Sequence, residues 1–118
     1  MKSSFQNLIV WKKAFDFTLE IYRITSTFPT DERFGLIDQL RRSANSIPAN
    51  IAEGKGRNGD KEFTKFLYIA RGSLEESKSH ILLAYSLNYL KEDKFKEISN
   101  TTDEIGYLLE KLIKSIKQ

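Results

Sequence analysis

The chain has 118 residues, 40% of them hydrophobic and 30% charged, a mix that supports one globular domain with a substantial core. It contains no cysteine, which excludes disulfides and thiolate metal sites and fits a reducing cytoplasm. A net charge of +3 permits contact with nucleic acid without demanding it.

Apolar spacing is helical throughout, with no sustained alternation of period two. The first helix is expected from about Asn7 to Thr27, with a seam of Leu8, Trp11, Phe15, Thr18 and Tyr22. Its apolar residues sweep roughly 220° of the circumference, wider than a monomeric bundle needs. The surplus, Phe17, Ile21 and Ile24, reads as a face for self-association, the alternative being a thick monomer core. Thr30 offers the second helix an N-cap, with Asp31 and Glu32 in the first turn. That helix carries Phe34, Ile37, Leu40, Ala44, Ile47 and Ile51, and stops at Gly54 as its C′ residue. The stretch SIPANIAEGKGR puts Pro48 inside it, removing the hydrogen bond to the carbonyl of Ala44. A kink is expected there, with Ser43, Asn45, Ser46 and Asn50 supplying donors to the disturbed carbonyls.

Asn58 or Asp60 is expected to cap the third helix, which Phe63, Phe66, Leu67, Ala70, Leu74, Ile81 and Ala84 line to about Leu87. Asn88 ends it in the left-handed conformation. Gly72 and Ser73 lack bulk and invite another helix to approach closely. The last helix has a seam of Phe95, Ile98, Thr102, Ile105, Leu109, Leu112 and Ile116. Short connections between long helices imply an all-α, antiparallel, up-down-up-down four-helix bundle, its second helix kinked at the proline, spanning residues 1–118 as a single domain. No apolar run approaches the roughly 20 residues of a membrane helix, and no signal peptide precedes the first lysines, so a cytoplasmic location is expected.

Chemistry finds little purchase in this pattern. The only histidine, His80, lies four residues after Glu76, which does not match the Glu-x-x-His spacing of a di-metal bundle. One histidine cannot build a nucleophile–base set, and the loop KGRNGD follows a helix and lacks the phosphate-loop pattern. Glu53 and Glu76 could be paired acids, or could accept hydrogen bonds from Arg41, Arg42 or Asn50, the reading favoured here. No catalysis, metal or cofactor is expected. A basic set remains: Arg41, Arg42, Lys55, Arg57, Lys61 and Lys65 gather around the second loop, interleaved with Glu53, Asp60 and Glu62. Phosphates of RNA or DNA would meet them there. The alternative is a solvated bundle face on a protein-interaction module.

The segments LIVWKKAFDF, FPTDERFGLIDQLRRSANSIPANIAEGKGR and EFTKFLYIARGSLEE carry a resemblance to the four-helix bundle proteins encoded by intervening sequences in bacterial 23S ribosomal RNA genes. Within it Pro48, Asn50, Glu53, Gly54, Gly72, Ser73 and Glu76 belong to the motif NIAEG…GSLEE and its approach. Asn88 stands where the family commonly has glycine. The resemblance implies an antiparallel bundle assembled as a ring, with a pentamer as precedent. Accessory proteins of diversity-generating retroelements are similar in fold and bind nucleic acid and a reverse transcriptase, but with a more basic surface. Two functions follow as expectations: an oligomeric scaffold that binds nucleic acid through the basic set, or a protein-interaction module that does not. Exposed, clustered basic side chains favour the first; inward or ion-paired arginines favour the second.

Overall fold

The computed structural model describes residues 5–117. Four helices, α1 (Ile9–Thr25), α2 (Leu36–Gly56), α3 (Asp60–Ser86) and α4 (Glu92–Lys117), account for most of them. Each packs on its neighbour in the chain, and α4 returns to α1 to close the bundle. Side-chain pairs show the directions. Along α2, Ser43 meets Ser77 and Ser46 meets Ser73, so partner numbers fall as the others rise. The same reversal links Arg71 to Glu110 and Lys78 to Asp103, and Lys13 to Glu104 and Lys94 to Glu20. The bundle is therefore up-down-up-down. Its long dimension of 43 Å is about one helix of α3's length at 1.5 Å per residue.

The core follows the expected seams in α3 and α4. Phe63, Phe66, Leu67, Ala70, Leu74, Ile81 and Ala84 are buried from α3, and Ile98, Thr102, Ile105 and Leu109 from α4. Phe95, Leu112 and Ile116 are partly buried against them, and Ile113, outside the expected seam, is buried as well. Asn88 takes a φ of 68° and ends α3 as expected.

In α1 the expected phase is shifted: of the expected seam Thr18 is buried and Leu8 and Trp11 pack against the core, but the centre of the buried face lies elsewhere. Phe17, Ile21 and Ile24 are 2%, 0% and 8% exposed and sit in the core beside Val10 and Ala14. They are not a self-association face. The assigned seam residues Phe15 and Tyr22 are instead exposed on the outer side. Both sets have helical spacing, so the choice lies in packing. Small Ala14 and Thr18 admit α2 closely enough for the Thr18 hydroxyl to lie 3.1 Å from the Ala44 carbonyl oxygen. Trp11 and Tyr22, with polar tips, stay at the wet rim.

That contact also explains how Pro48 is accommodated. α2 runs continuously through the proline, which is buried. The Ala44 carbonyl, which Pro48 cannot satisfy, faces the Thr18 hydroxyl on α1 rather than one of the four α2 residues expected to supply a donor. The one proton of that hydroxyl is shared with the Ala14 carbonyl at 2.9 Å. Asn50 donates to the carbonyl and hydroxyl oxygens of Ser46.

Two glycines change roles. Gly54 is not a C′ residue, because α2 continues to Gly56. A Cβ at Gly54 would lie 2.6 Å from Phe66 Cβ, so the glycine is what lets α3 approach. Gly72 is exposed, and a Cβ there would meet nothing within 4 Å, so it mediates no close approach. Thr30 does not cap α2. Thr30–Glu32 form a short 3-10 turn ahead of the helix, Phe34 is solvent-exposed, and the Glu32 carboxylate accepts from the Leu36 amide at 3.0 Å. Gly59, with φ of 101°, occupies the N-cap of α3 in place of Asn58 or Asp60.

Candidate functional site

The six basic residues do not form one cluster. Arg41 and Arg42 lie on α2 fourteen and thirteen residues before Lys55, about 20 Å along the helix. Arg41 turns toward α1, donating from Nε to Thr25 at 2.8 Å and stacking over the Tyr22 ring at 4.6 Å. Arg42 pairs with Asp38 at 3.0 Å. Arg57 is held by Glu53 at 2.7 Å, with Glu62 at 4.0 Å, and lies over the Phe66 ring. Its hydrogen bond to Glu53 holds the guanidinium above its ordinary pKa. Lys55 rests over Phe63 and Lys65 over Phe66. Of the six, Arg41, Lys55, Lys61 and Lys65 lack a carboxylate within 4.0 Å among the described residues, and Arg41 is instead held by Thr25 and Tyr22.

The fold adds cations that the linear reading missed. Because α3 starts where α4 ends, Lys117 stands near Lys61, and Asp60, Lys61, Thr64, Ile116 and Lys117 line a shallow depression of about 280 Å³. Lys114 lies one turn before Lys117 on α4. The up-down topology was the available signal, since it places the last turn of α4 beside the first turn of α3.

The acid candidates are kept apart. Glu53 engages Arg57, and Glu76 faces His80 Nε2 at 3.2 Å one turn along α3. The register of Ser43 with Ser77 sets Glu76 level with Ala44, so Glu53 lies nine residues further on, about 14 Å along the bundle. Neither accepts from Arg41, Arg42 or Asn50. Among the described residues no group of three or more His, Asp or Glu side chains could hold a metal ion. No described helix is long and apolar enough to cross a membrane.

The outer side of α1 is the second notable surface. Trp11 stacks on Phe15 at 4.8 Å and meets Phe5 edge-on at 4.9 Å. Phe15, Leu19 and Tyr22 continue this stripe at helical spacing, 39%, 45% and 46% exposed. The wide apolar arc expected of α1 is thus present, with its solvent side opposite to the one assigned. On the α4 side of the helix, Lys13 to Glu104 and Lys94 to Glu20 clasp α1 to α4 at 3.0 and 3.1 Å. Arg23 above all, and then Lys94, keep the Glu20 carboxyl below its ordinary range against the opposing effect of burial.

A sequence profile for the 23S rRNA-intervening sequence protein family matches residues 6–111. No curated protein shows significant similarity to the chain. Among solved structures, the chain is similar to a protein of unknown function from the S23 ribosomal protein family of Bacteroides thetaiotaomicron, with a TM-score of 0.82 and 27% identity. That likeness covers 90% of this chain and 96% of the other.

Proposed function

The chain belongs to the 23S rRNA-intervening sequence protein family, and on that premise we propose that it is a non-enzymatic scaffold that self-associates through the outer stripe of α1. Its work is protein–protein contact. The observation that carries this reading is the row Trp11, Phe15, Leu19 and Tyr22, apolar side chains left part-exposed on a helix whose opposite face already fills the core. Full burial of one such side chain contributes ~1.5–3 kcal/mol, so about half of that remains available at each half-exposed position. A ring, which the sequence resemblance implies, repeats the gain at every subunit contact. The arginines support the same reading: Arg42 and Arg57 are ion-paired, and Arg41 is turned onto Tyr22 and Thr25. Catalysis has no support from the carboxylates, because Glu53 and Glu76 are separated and each has its own partner.

The test is the solution mass of the parent protein by light scattering at tens of micromolar. A mass several times 13.7 kDa is expected. A single species at the chain mass would overturn the proposal.

A further inference from the structure

We propose that the end of the bundle where α3 begins and α4 finishes binds single-stranded nucleic acid, with phosphates on lysines and bases against Tyr68 and Tyr107. This goes beyond the self-association reading and stands on different residues.

Two short rows make the surface. Lys61, Lys65 and Tyr68 follow one another at i, i+4 and i+7 on α3; Tyr107, Lys111 and Lys114 do the same on α4. All six are exposed. Each row extends about 10 Å, and neighbouring helix axes lie about 8–10 Å apart, so a short run of nucleotides can touch both. Lys117 joins them, its ammonium 3.4 Å from the Tyr68 hydroxyl oxygen across the groove.

What sets this surface apart is the number of unneutralised charges it gathers beside exposed tyrosines. Lys12, Lys13, Lys78, Lys94 and Lys96 each have a carboxylate within 4.0 Å. None of the lysines on the two rows has one among the described residues. Of the nearby carboxylates, Glu62 and Glu110 are directed to Arg57 and Arg71. Asp60, which lines the depression with Lys61 and Lys117, is a single opposing charge with no lysine within 4.0 Å among the described residues. Unpaired lysines keep their counterions until a polyanion displaces them, and that release drives phosphate binding.

The tyrosines decide between polyanions. An acidic peptide would need the ammonium groups alone. Here the rings are interleaved with them: Lys111 lies 5.4 Å from the Tyr107 ring centre, and Arg71 lies 4.7 Å from that of Tyr68. Tyr107 remains 62% exposed even so, leaving ring surface on which an unpaired base can stack. A duplex, with its bases already stacked, would leave the rings unused.

The experiment is fluorescence anisotropy with a labelled twelve-residue oligodeoxythymidine and, separately, a labelled oligoglutamate of equal length, in low salt and across a salt series. The parent is expected to bind the oligonucleotide and to prefer it to the peptide. A triple variant, Lys61→Gln, Lys65→Gln and Lys114→Gln, is expected to lose most binding and flatten the log–log salt slope by about 2, at about 0.7 per phosphate contact. Tyr107→Ala is expected to weaken binding about tenfold and leave that slope unchanged. Arg42→Gln, on a distant part of α2, serves as the control and is expected to bind as the parent does. All the substituted residues are exposed, and circular dichroism verifies that each variant is folded. Absence of parental binding at low salt, a triple variant as tight as the parent, or equal binding of oligoglutamate with no effect of Tyr107→Ala would each overturn the proposal. These outcomes are independent of the solution mass, so this site and the α1 stripe fail separately.

Discussion

Replacing Gly54 by alanine tests whether the approach of α2 to α3 is as close as the structure has it. The new methyl carbon would stand 2.6 Å from Phe66 Cβ, 3.1 Å from Phe63 Cδ1 and 3.3 Å from the Phe63 carbonyl oxygen. Carbon atoms sit best at about 3.5–4.0 Å, so roughly 1 Å of relief is needed. Phe66 Cβ is bonded directly to the α3 backbone, and no rotamer change moves it; the helices themselves must part. Overpacking of this kind costs about 1–3 kcal/mol. Alanine recovers about 1 kcal/mol as the better helix former. Because the clash is anchored to backbone, the upper part of the range applies, for a net loss of about 2 kcal/mol. The same substitution at Gly72 adds a methyl group that meets nothing within 4 Å, so it should stabilise by about 0.5–1 kcal/mol. Urea denaturation followed by helical circular dichroism measures both, at one protein concentration because assembly would couple to stability. A Gly54→Ala protein as stable as the parent would refute the close approach.

Thr18→Val keeps the shape but removes the hydroxyl facing the Ala44 carbonyl, leaving a buried acceptor beside Pro48; a loss of about 1–3 kcal/mol is expected in the same denaturation assay. Acid should loosen the clasp between the α1–α2 and α3–α4 connections. The Leu36 amide, and then the Tyr89 hydroxyl, hold the Glu32 carboxyl below its ordinary range. A lowered folded pKa contributes stability above the unfolded value of about 4.3 and loses it as pH falls through the folded one. Denaturation midpoints from pH 6 to pH 2 should therefore decline at the acid end, and Glu32→Gln should make that decline shallower. Tyr89 runs the other way. Its phenol is held above the ordinary range chiefly by the Glu32 bond, so its contribution is present below about pH 10 and lost as pH rises through the raised value.

The sequence was most informative where one apolar stripe is narrow. In α3 and α4 the stripe leaves a single phase, and the residues it selects are the ones buried or packed against the core. In α1 the arc is wide enough to hold two seams, and periodicity cannot rank Phe15 and Tyr22 against Phe17 and Ile21. Ala14 and Thr18 decide it, through a contact with α2 twenty-six residues away. Gly54 near a helix end reads as a terminator for a similar reason: Phe66, which makes the glycine necessary, is on another helix. Arg41 and Arg42 look continuous with Lys55 and Arg57 in a charge count, yet a helix carries them apart and their partners lie close by. Lys117 joins Lys61 only after the chain has folded back from α3 into α4.

Leu19→Asp, compared with Phe17→Asp, separates the outer stripe from the core face of the same helix. Leu19 is 45% exposed and has room for a carboxylate in the isolated bundle, whereas Phe17 is 2% exposed and does not. Phe17→Asp should lose helicity, because an unpaired charge in the core is strongly disfavoured. Sedimentation velocity of Leu19→Asp should show the parent's assembly reduced to the 13.7 kDa chain with its helical circular dichroism intact. A Leu19→Asp protein that sediments with the parent's assembled species would contradict assembly through the outer stripe of α1.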